Sequence, residues 1–303
     1  MKKFTTEPLI EIVWWLQQQL ERDSTPGRII EFLRTNPDLR AGKEGKLPGH
    51  SLKNWLDLAE YFNCRLLLPH LQDSNLVRIR MQVLDSKHDW HKNLTDDATE
   101  KYGVDSEYAG IEKLEEPYFL LDYLHCLRIV SIQSGWRILN LGVNRGDEFA
   151  ALNYVVSPED FASLHLVGVD HSESAIQAAR LRFSENNHTF FCSDINKLHE
   201  LNLGRFELII SISTLQSPGL DRETVLRQLV QQQCKDKSAL LFAFPNCRYI
   251  DGEIKYGAMM RNYSTSELSL LVKDVSFYKK YLQQHKFKVR IFGKYYLFVV
   301  AVR

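Results

Sequence analysis

An excess of positive charge is the first thing this chain lacks. Its 38 Lys and Arg balance 38 Asp and Glu, so the 303 residues carry a formal net charge of zero. Tight duplex binding neutralises several phosphates, and the composition offers no general surplus for that work. Long apolar runs are missing too, since none approaches the ~18 consecutive residues of a membrane helix. A membrane partner is therefore not expected. The start, Met1-Lys2-Lys3-Phe4-Thr5-Thr6-Glu7, meets an acid at once and has no apolar secretory core with a cleavage site, so the expected location is cytoplasmic.

Cysteine is sparse and dispersed. Cys64, Cys126, Cys192, Cys234 and Cys247 are odd in number and form no Cys-x-x-Cys pair, which argues against a disulfide framework and for reduced, mostly buried thiols. His88 and His91 stand three apart, but nothing near them completes a ligand set, so no metal is expected. What is plentiful is core material. An apolar fraction of 44% excludes gross disorder.

The chain divides by pattern near residue 110. In the first part Leu9, Ile12, Val13, Leu16 and Leu20 recur at helical spacing over 7–22. Thr25-Pro26 resembles an N-cap and first helical residue, so a second helix is expected with Ile29, Ile30 and Leu33 on its apolar face. Residues 36–50 hold prolines, glycines and charges and predict a loop. A third helix is expected over 51–62. In 76–83, Val77, Ile79, Met81 and Val83 alternate with Arg78, Arg80 and Gln82, which is strand periodicity. Residues 1–110 thus predict a mainly helical accessory domain. It is either a winged-helix-like module with Arg78 and Arg80 facing phosphates, or a cap that shapes acceptor binding. Its 15 Lys and Arg against 17 Asp and Glu, a net of −2, weigh against duplex binding.

From 111 onward strands and helices alternate. Strands are expected at 137–141, 164–169, 189–192, 206–211 and 239–244, with helices between them. A closing hairpin is expected over 287–302. Repeated βα units imply an α/β, doubly wound, mostly parallel sheet with right-handed crossovers. Three of its strands end at polar groups: Arg137-Ile-Leu-Asn-Leu-Gly-Val-Asn-Arg-Gly146, Leu166-Val-Gly-Val-Asp170 and Phe190-Phe-Cys-Ser-Asp194. A glycine turn lets backbone approach a ligand at a helix N-terminus, and carboxylates at strand ends face the crevice where such sheets bind nucleosides.

These segments resemble the class I S-adenosylmethionine-dependent methyltransferases over about 120–303. The resemblance implies a seven-stranded sheet of order 3-2-1-4-5-7-6, with S-adenosylmethionine as cofactor. It implies Gly142, Asn144 and Gly146 in the cofactor turn, Asp170 on the ribose hydroxyls, His171 beside the adenine, Asp194 on the adenine amino group with Ile195 near the ring, and Ser211 at the methyl-transfer pocket. Asn140 stands where the family has an acid in strand one, and Asn144 where it has a third glycine. Asn144 tolerates positive φ, whereas Asn140 brings no charge.

After strand five, Asn246, Asp251, Glu253 and Tyr256 are the candidate catalytic residues. Asp251 or Glu253 would serve as general base, and Arg248 would bind an anionic acceptor. Tyr102, Tyr108 and Tyr118 are candidates for a lid. The loop after strand four lacks the Asp/Asn-Pro-Pro-Tyr/Phe pattern of nucleobase amino methylation. The expected activity is methylation of oxygen or nitrogen on a small molecule. RNA is the rival acceptor, supported by Lys279, Lys280, Lys286, Lys288, Arg290, Lys294 and Arg303 interleaved with aromatics and no acid over 275–303. A non-catalytic binding protein of the same fold is a further rival, on the evidence of Asn140 and Asn144.

Overall fold

The structure is a computed structural model, and it describes residues 1–36, 51–73, 75–86, 98–258 and 268–303. His88 and His91 lie outside them. Two units are present: residues 1–92 together with Tyr249–Lys255, and residues 93–248 together with 256–303.

The first unit is not mainly helical. Its order is β1 (Lys2–Phe4), α1 (Leu9–Arg22), β2 (Ile29–Thr35), α2 (Leu52–Tyr61), β3 (Cys64–Leu71) and β4 (Leu76–Val83), and the strands form a sheet ordered β1-β2-β4-β3. The helix expected after Thr25-Pro26 is strand β2, which corrects both the helical and the winged-helix readings. The reason is visible in the alternation. Ile30, Phe32 and Arg34 are buried on one face, whereas a helical face would have required Leu33, and β2 pairs with β4 from Ile29↔Gln82 to Thr35↔Leu76. Ile30 and Phe32 pack against Ile12 and Leu16 of α1 and Trp55 and Leu58 of α2 in one core cluster. Each such fully buried side chain contributes about 1.5–3 kcal/mol.

The second unit contains α3 (Pro117–Val130), β5 (Arg137–Leu141), α4 (Asp147–Ala150), α5 (Pro158–Ser163), β6 (His165–Asp170), α6 (Glu173–Arg182), β7 (Thr189–Cys192) and β8 (Phe206–Ile212). It continues through α7 (Arg222–Gln228), β9 (Cys234–Pro245), α8 (Ser269–Gln284), β12 (Lys288–Phe292) and β13 (Tyr296–Val302). The strands β10 (Cys247–Ile250) and β11 (Glu253–Tyr256) form a separate two-stranded sheet. The large sheet runs β12-β13-β9-β8-β5-β6-β7. Counted from β5 as the first strand, that is the expected order 3-2-1-4-5-7-6. β5 lies in its interior, parallel to β6 and β8, and β13 joins β9 antiparallel. Ile138, Leu139, Asn140 and Leu141 are all 0% exposed, as befits a strand covered on both faces. One amide therefore sits inside an apolar strand. No helix among the described residues is long and apolar enough to cross a membrane.

Candidate active site

The turn after β5 bends where the sequence permits it. Gly142 (φ +74°), Asn144 (φ +47°) and Gly146 (φ +84°) all adopt left-handed backbone. A Cβ on Gly142 would meet Thr214 Oγ1 at 2.0 Å, so the site needs both the conformation and the bare backbone. The turn is then tied to the end of β6. Asp170, 4% exposed, accepts the Asn144 N–H through Oδ2 at 2.9 Å and the Ser172 N–H through Oδ1 at 3.1 Å. Ser172 caps α6 by accepting the Ala175 N–H.

A third segment joins this pair. Asn144 Nδ2 donates to the Tyr102 carbonyl at 2.6 Å, and the Tyr102 ring meets the exposed His171 edge to face at 6.0 Å. Glu100 accepts from Ser172 Oγ at 3.0 Å, Ser174 Oγ at 2.5 Å and the Glu173 N–H at 2.9 Å, so a carboxylate stands at the N-terminus of α6. The Ser174 hydroxyl, with the other donors of α6, holds the Glu100 carboxyl below its ordinary range against the opposing effect of desolvation. A depressed carboxyl stabilises above its unfolded pKa and loses that contribution as pH falls through the folded value, so the clasp holds at neutral pH. Glu100→Ala is expected to raise amide hydrogen exchange over residues 98–106 by about tenfold, the equivalent of ~1.4 kcal/mol. Unchanged exchange there would show that Glu100 holds nothing.

Other expected site residues are placed differently. Asp194 is exposed and accepts the Asn196 N–H at 2.9 Å, opening a turn over Ile195–Leu201. Ile195 is buried in the core, and Ser211 Oγ donates to the Leu141 carbonyl at 3.3 Å, binding β8 to β5. Asn246 is buried and its Nδ2 donates to the Lys294 carbonyl. Tyr256 is 42% exposed. Asp251 and Glu253 belong to the first unit. Glu253 Oε1 accepts from Arg65 Nε at 2.5 Å, and Asp251 accepts from Arg65 Nη2 through its carbonyl and from the Asp85 N–H through Oδ2. Burial pushes the Cys247 thiol up to about 12, so no nucleophile is poised there. Among the lid candidates Tyr102 joins the turn, whereas Tyr118 packs on Tyr295 at 5.6 Å; the Tyr108 side chain lies outside the described residues.

Several aromatics of the basic C-terminal stretch are packed inward. Tyr278 is 0% exposed against Phe242 and Phe244, Tyr296 is 3% exposed, and Phe292 packs on His125 and Phe298.

A mostly parallel sheet of this order, with a left-handed glycine turn clamped to a buried strand-end carboxylate, belongs to the doubly wound α/β class, in which nucleosides bind at the carboxyl edge. A family model described as a methyltransferase domain matches residues 132–290. The chain belongs to this family, the S-adenosylmethionine-dependent methyltransferases, and S-adenosylmethionine is the cofactor. Malonyl-[acyl-carrier protein] O-methyltransferase of Bacillus anthracis is 30% identical over 138 residues, which are 46% of this chain and 47% of that protein. The chain thus spans about half the length of the curated relative it matches. Among solved structures, an S-adenosylmethionine-dependent methyltransferase from Aquifex aeolicus is similar at TM-score 0.45 and 18% identity, covering 64% of this chain and 97% of that one. Another, from Mesorhizobium loti, is similar at TM-score 0.42 and 19% identity, covering 59% and 96%.

One residue of this site carries no signal in the expected pattern: Glu100 is 44 residues from Asn144 in sequence, and nothing local marks it.

Proposed function

We propose that this chain transfers the methyl group of S-adenosylmethionine to an oxygen of a small carboxylate-bearing acceptor. The observation that supports the cofactor half is the Asp170 clamp, a buried carboxylate at the end of β6 that would accept the ribose hydroxyls. The residues fit that group, since Gly142, Asn144 and Gly146 bend the backbone left-handed beside that carboxylate. When bound, the cofactor supplies a sulfonium methyl for in-line displacement, and the protein's part is to position the partners and exclude water.

For the acceptor, Asp251 and Glu253 have other partners, and the reading assigns no base to them. An acceptor carboxylate needs none, being already ionised at pH 7 with an ordinary pKa near 4. The relative from Bacillus anthracis is named for O-methylation of malonyl-acyl-carrier protein, which suits the same acceptor class. Zero net charge and the packed C-terminal aromatics favour it over RNA. Asn246 and Tyr256 stay as candidates on the acceptor side, both in the second unit.

The test is transfer of labelled methyl from S-adenosylmethionine to a panel of mono- and dicarboxylate thioesters, with amines and total RNA run in parallel. Base-labile label on the carboxylates is expected, as a methyl ester would give. Label on RNA alone, with binding that weakens steeply as salt rises, would transfer the assignment to RNA.

A further inference from the structure

The amino edge of the large sheet carries a groove of about 600 Å³. Trp136 stands just before β5, Arg205 and Glu207 at the start of β8, and Lys235, Asp236 and Lys237 at the start of β9. Trp136 and Gly142 bracket the five residues of β5, so roughly 20 Å separates the groove from the glycine turn at ~3.3 Å per residue. The wall of the groove is rigidly built. Lys235 to Ser238 stand opposite the single residue Glu207, because Phe206 pairs with Cys234 and Leu208 with Ala239. Such a bulge re-aims side chains out of the sheet's regular alternation. Arg303 holds it in shape. Its Nη2 donates to the Lys235 carbonyl at 2.7 Å and its Nε to the Asp236 carbonyl at 3.1 Å, while its main chain exchanges hydrogen bonds with Ser238. On the other side Arg137 Nη2 donates to the Leu203 carbonyl at 2.8 Å, which ties down the turn leading to Arg205.

Two of the groove's charges are spent on each other. Glu207 accepts from Lys235 Nζ through Oε1 and from the Arg137 N–H through Oε2 at 2.9 Å. Burial works to raise its carboxyl, but Lys235 and that N–H outweigh it and hold the group below its ordinary range. Arg205 and Lys237 are exposed and have no acidic partner among the described residues. Two cations therefore remain, with the Asp236 carboxylate and the half-buried Trp136 indole. The cations suit a phosphate, which accepts charge-assisted hydrogen bonds from both. The indole suits a flat ring, and the carboxylate needs a donor such as a hydroxyl. A bare phosphate would use only the cations, whereas the volume falls in the ~300–1,000 Å³ range of small-molecule sites.

We propose that this groove binds a nucleoside monophosphate, its base against Trp136, its phosphate between Arg205 and Lys237, and a ribose hydroxyl donating to Asp236. The site lies at the opposite edge of the sheet from the glycine turn and shares no residue with it.

The experiment is calorimetric titration with adenosine 5′-monophosphate and, separately, with inorganic phosphate, each with and without saturating S-adenosylhomocysteine. The monophosphate is expected to bind in the presence of S-adenosylhomocysteine and more tightly than phosphate. Arg205→Gln together with Lys237→Gln is expected to weaken it by about tenfold or more, the size of a lost charged hydrogen bond. Both side chains are exposed, so the pair of substitutions leaves the core intact. Trp136→Leu is expected to weaken the monophosphate by about tenfold, as a lost stacking partner would, and to leave phosphate unchanged. Lys279→Gln together with Lys280→Gln removes the same charge from the exposed face of α8 and should bind as wild type does. Displacement by S-adenosylhomocysteine would put the nucleotide in the cofactor site and overturn the proposal. So would an equal loss in the α8 variant, phosphate binding as tightly as the nucleotide, or no binding to wild type.

Discussion

Asp170→Ala is expected to lose S-adenosylmethionine binding by about 100-fold or more, because two hydrogen bonds to a charged acceptor at ~1.5–3 kcal/mol each vanish together. The side chain cannot be replaced by water without consequence. It is 4% exposed, and its two oxygens hold the N–H groups of Asn144 and Ser172. Removing it leaves two amides without partners, at about 1–3 kcal/mol apiece. Asn144 then loses the anchor that keeps its φ at +47°. Cofactor affinity and thermal midpoint should therefore fall together. Calorimetry on wild type and variant decides the matter, and equal affinities would remove Asp170 from the site.

The largest effect on folding is expected at Gly293, in the turn between β12 and β13. Its φ is +119°, and a Cβ there would lie 1.9 Å from the Tyr296 carbonyl oxygen. That oxygen is backbone, and Tyr296 is held in register with Pro245 across β13 and β9. Neither side can move cheaply. Gly293→Ala should cost about 3 kcal/mol or more and lower the thermal midpoint by roughly 6–12 °C. An unchanged midpoint would mean that the hairpin contributes little to holding the large sheet together.

The second unit was legible because its signals are local. The apolar runs at 137–141 and 189–192 match β5 and β7 residue for residue, since a short apolar run bounded by turn residues is signal enough for a strand. Asp170 was legible for a related reason, as a carboxylate that ends such a run. The first unit resisted because its pairings are distant. Ile29, Ile30 and Leu33 fit a helical face as well as a strand, and only pairing with β4 decides between them. Strand β3 was missed because Arg65-Leu66-Leu67-Leu68-Pro69 does not alternate and contains a proline. It is an edge strand whose register shifts between Leu67 and His70, and there a proline is tolerated. Asp251 and Glu253 were misleading in a similar way. Their loop follows β9, but their partners Arg65 and Asp85 lie more than 160 residues earlier.

That last pairing bears on how the protein is made. A ribosome releases residues 1–92 long before Tyr249–Lys255, yet the first unit includes both. Arg65 must wait for Asp251 and Glu253, with only Gln82 of the early segment accepting from its guanidinium, until most of the second unit has left the exit tunnel. A fragment ending near residue 92 would lack those partners permanently, so the N-terminal unit is the first to be synthesised and among the last to be completed.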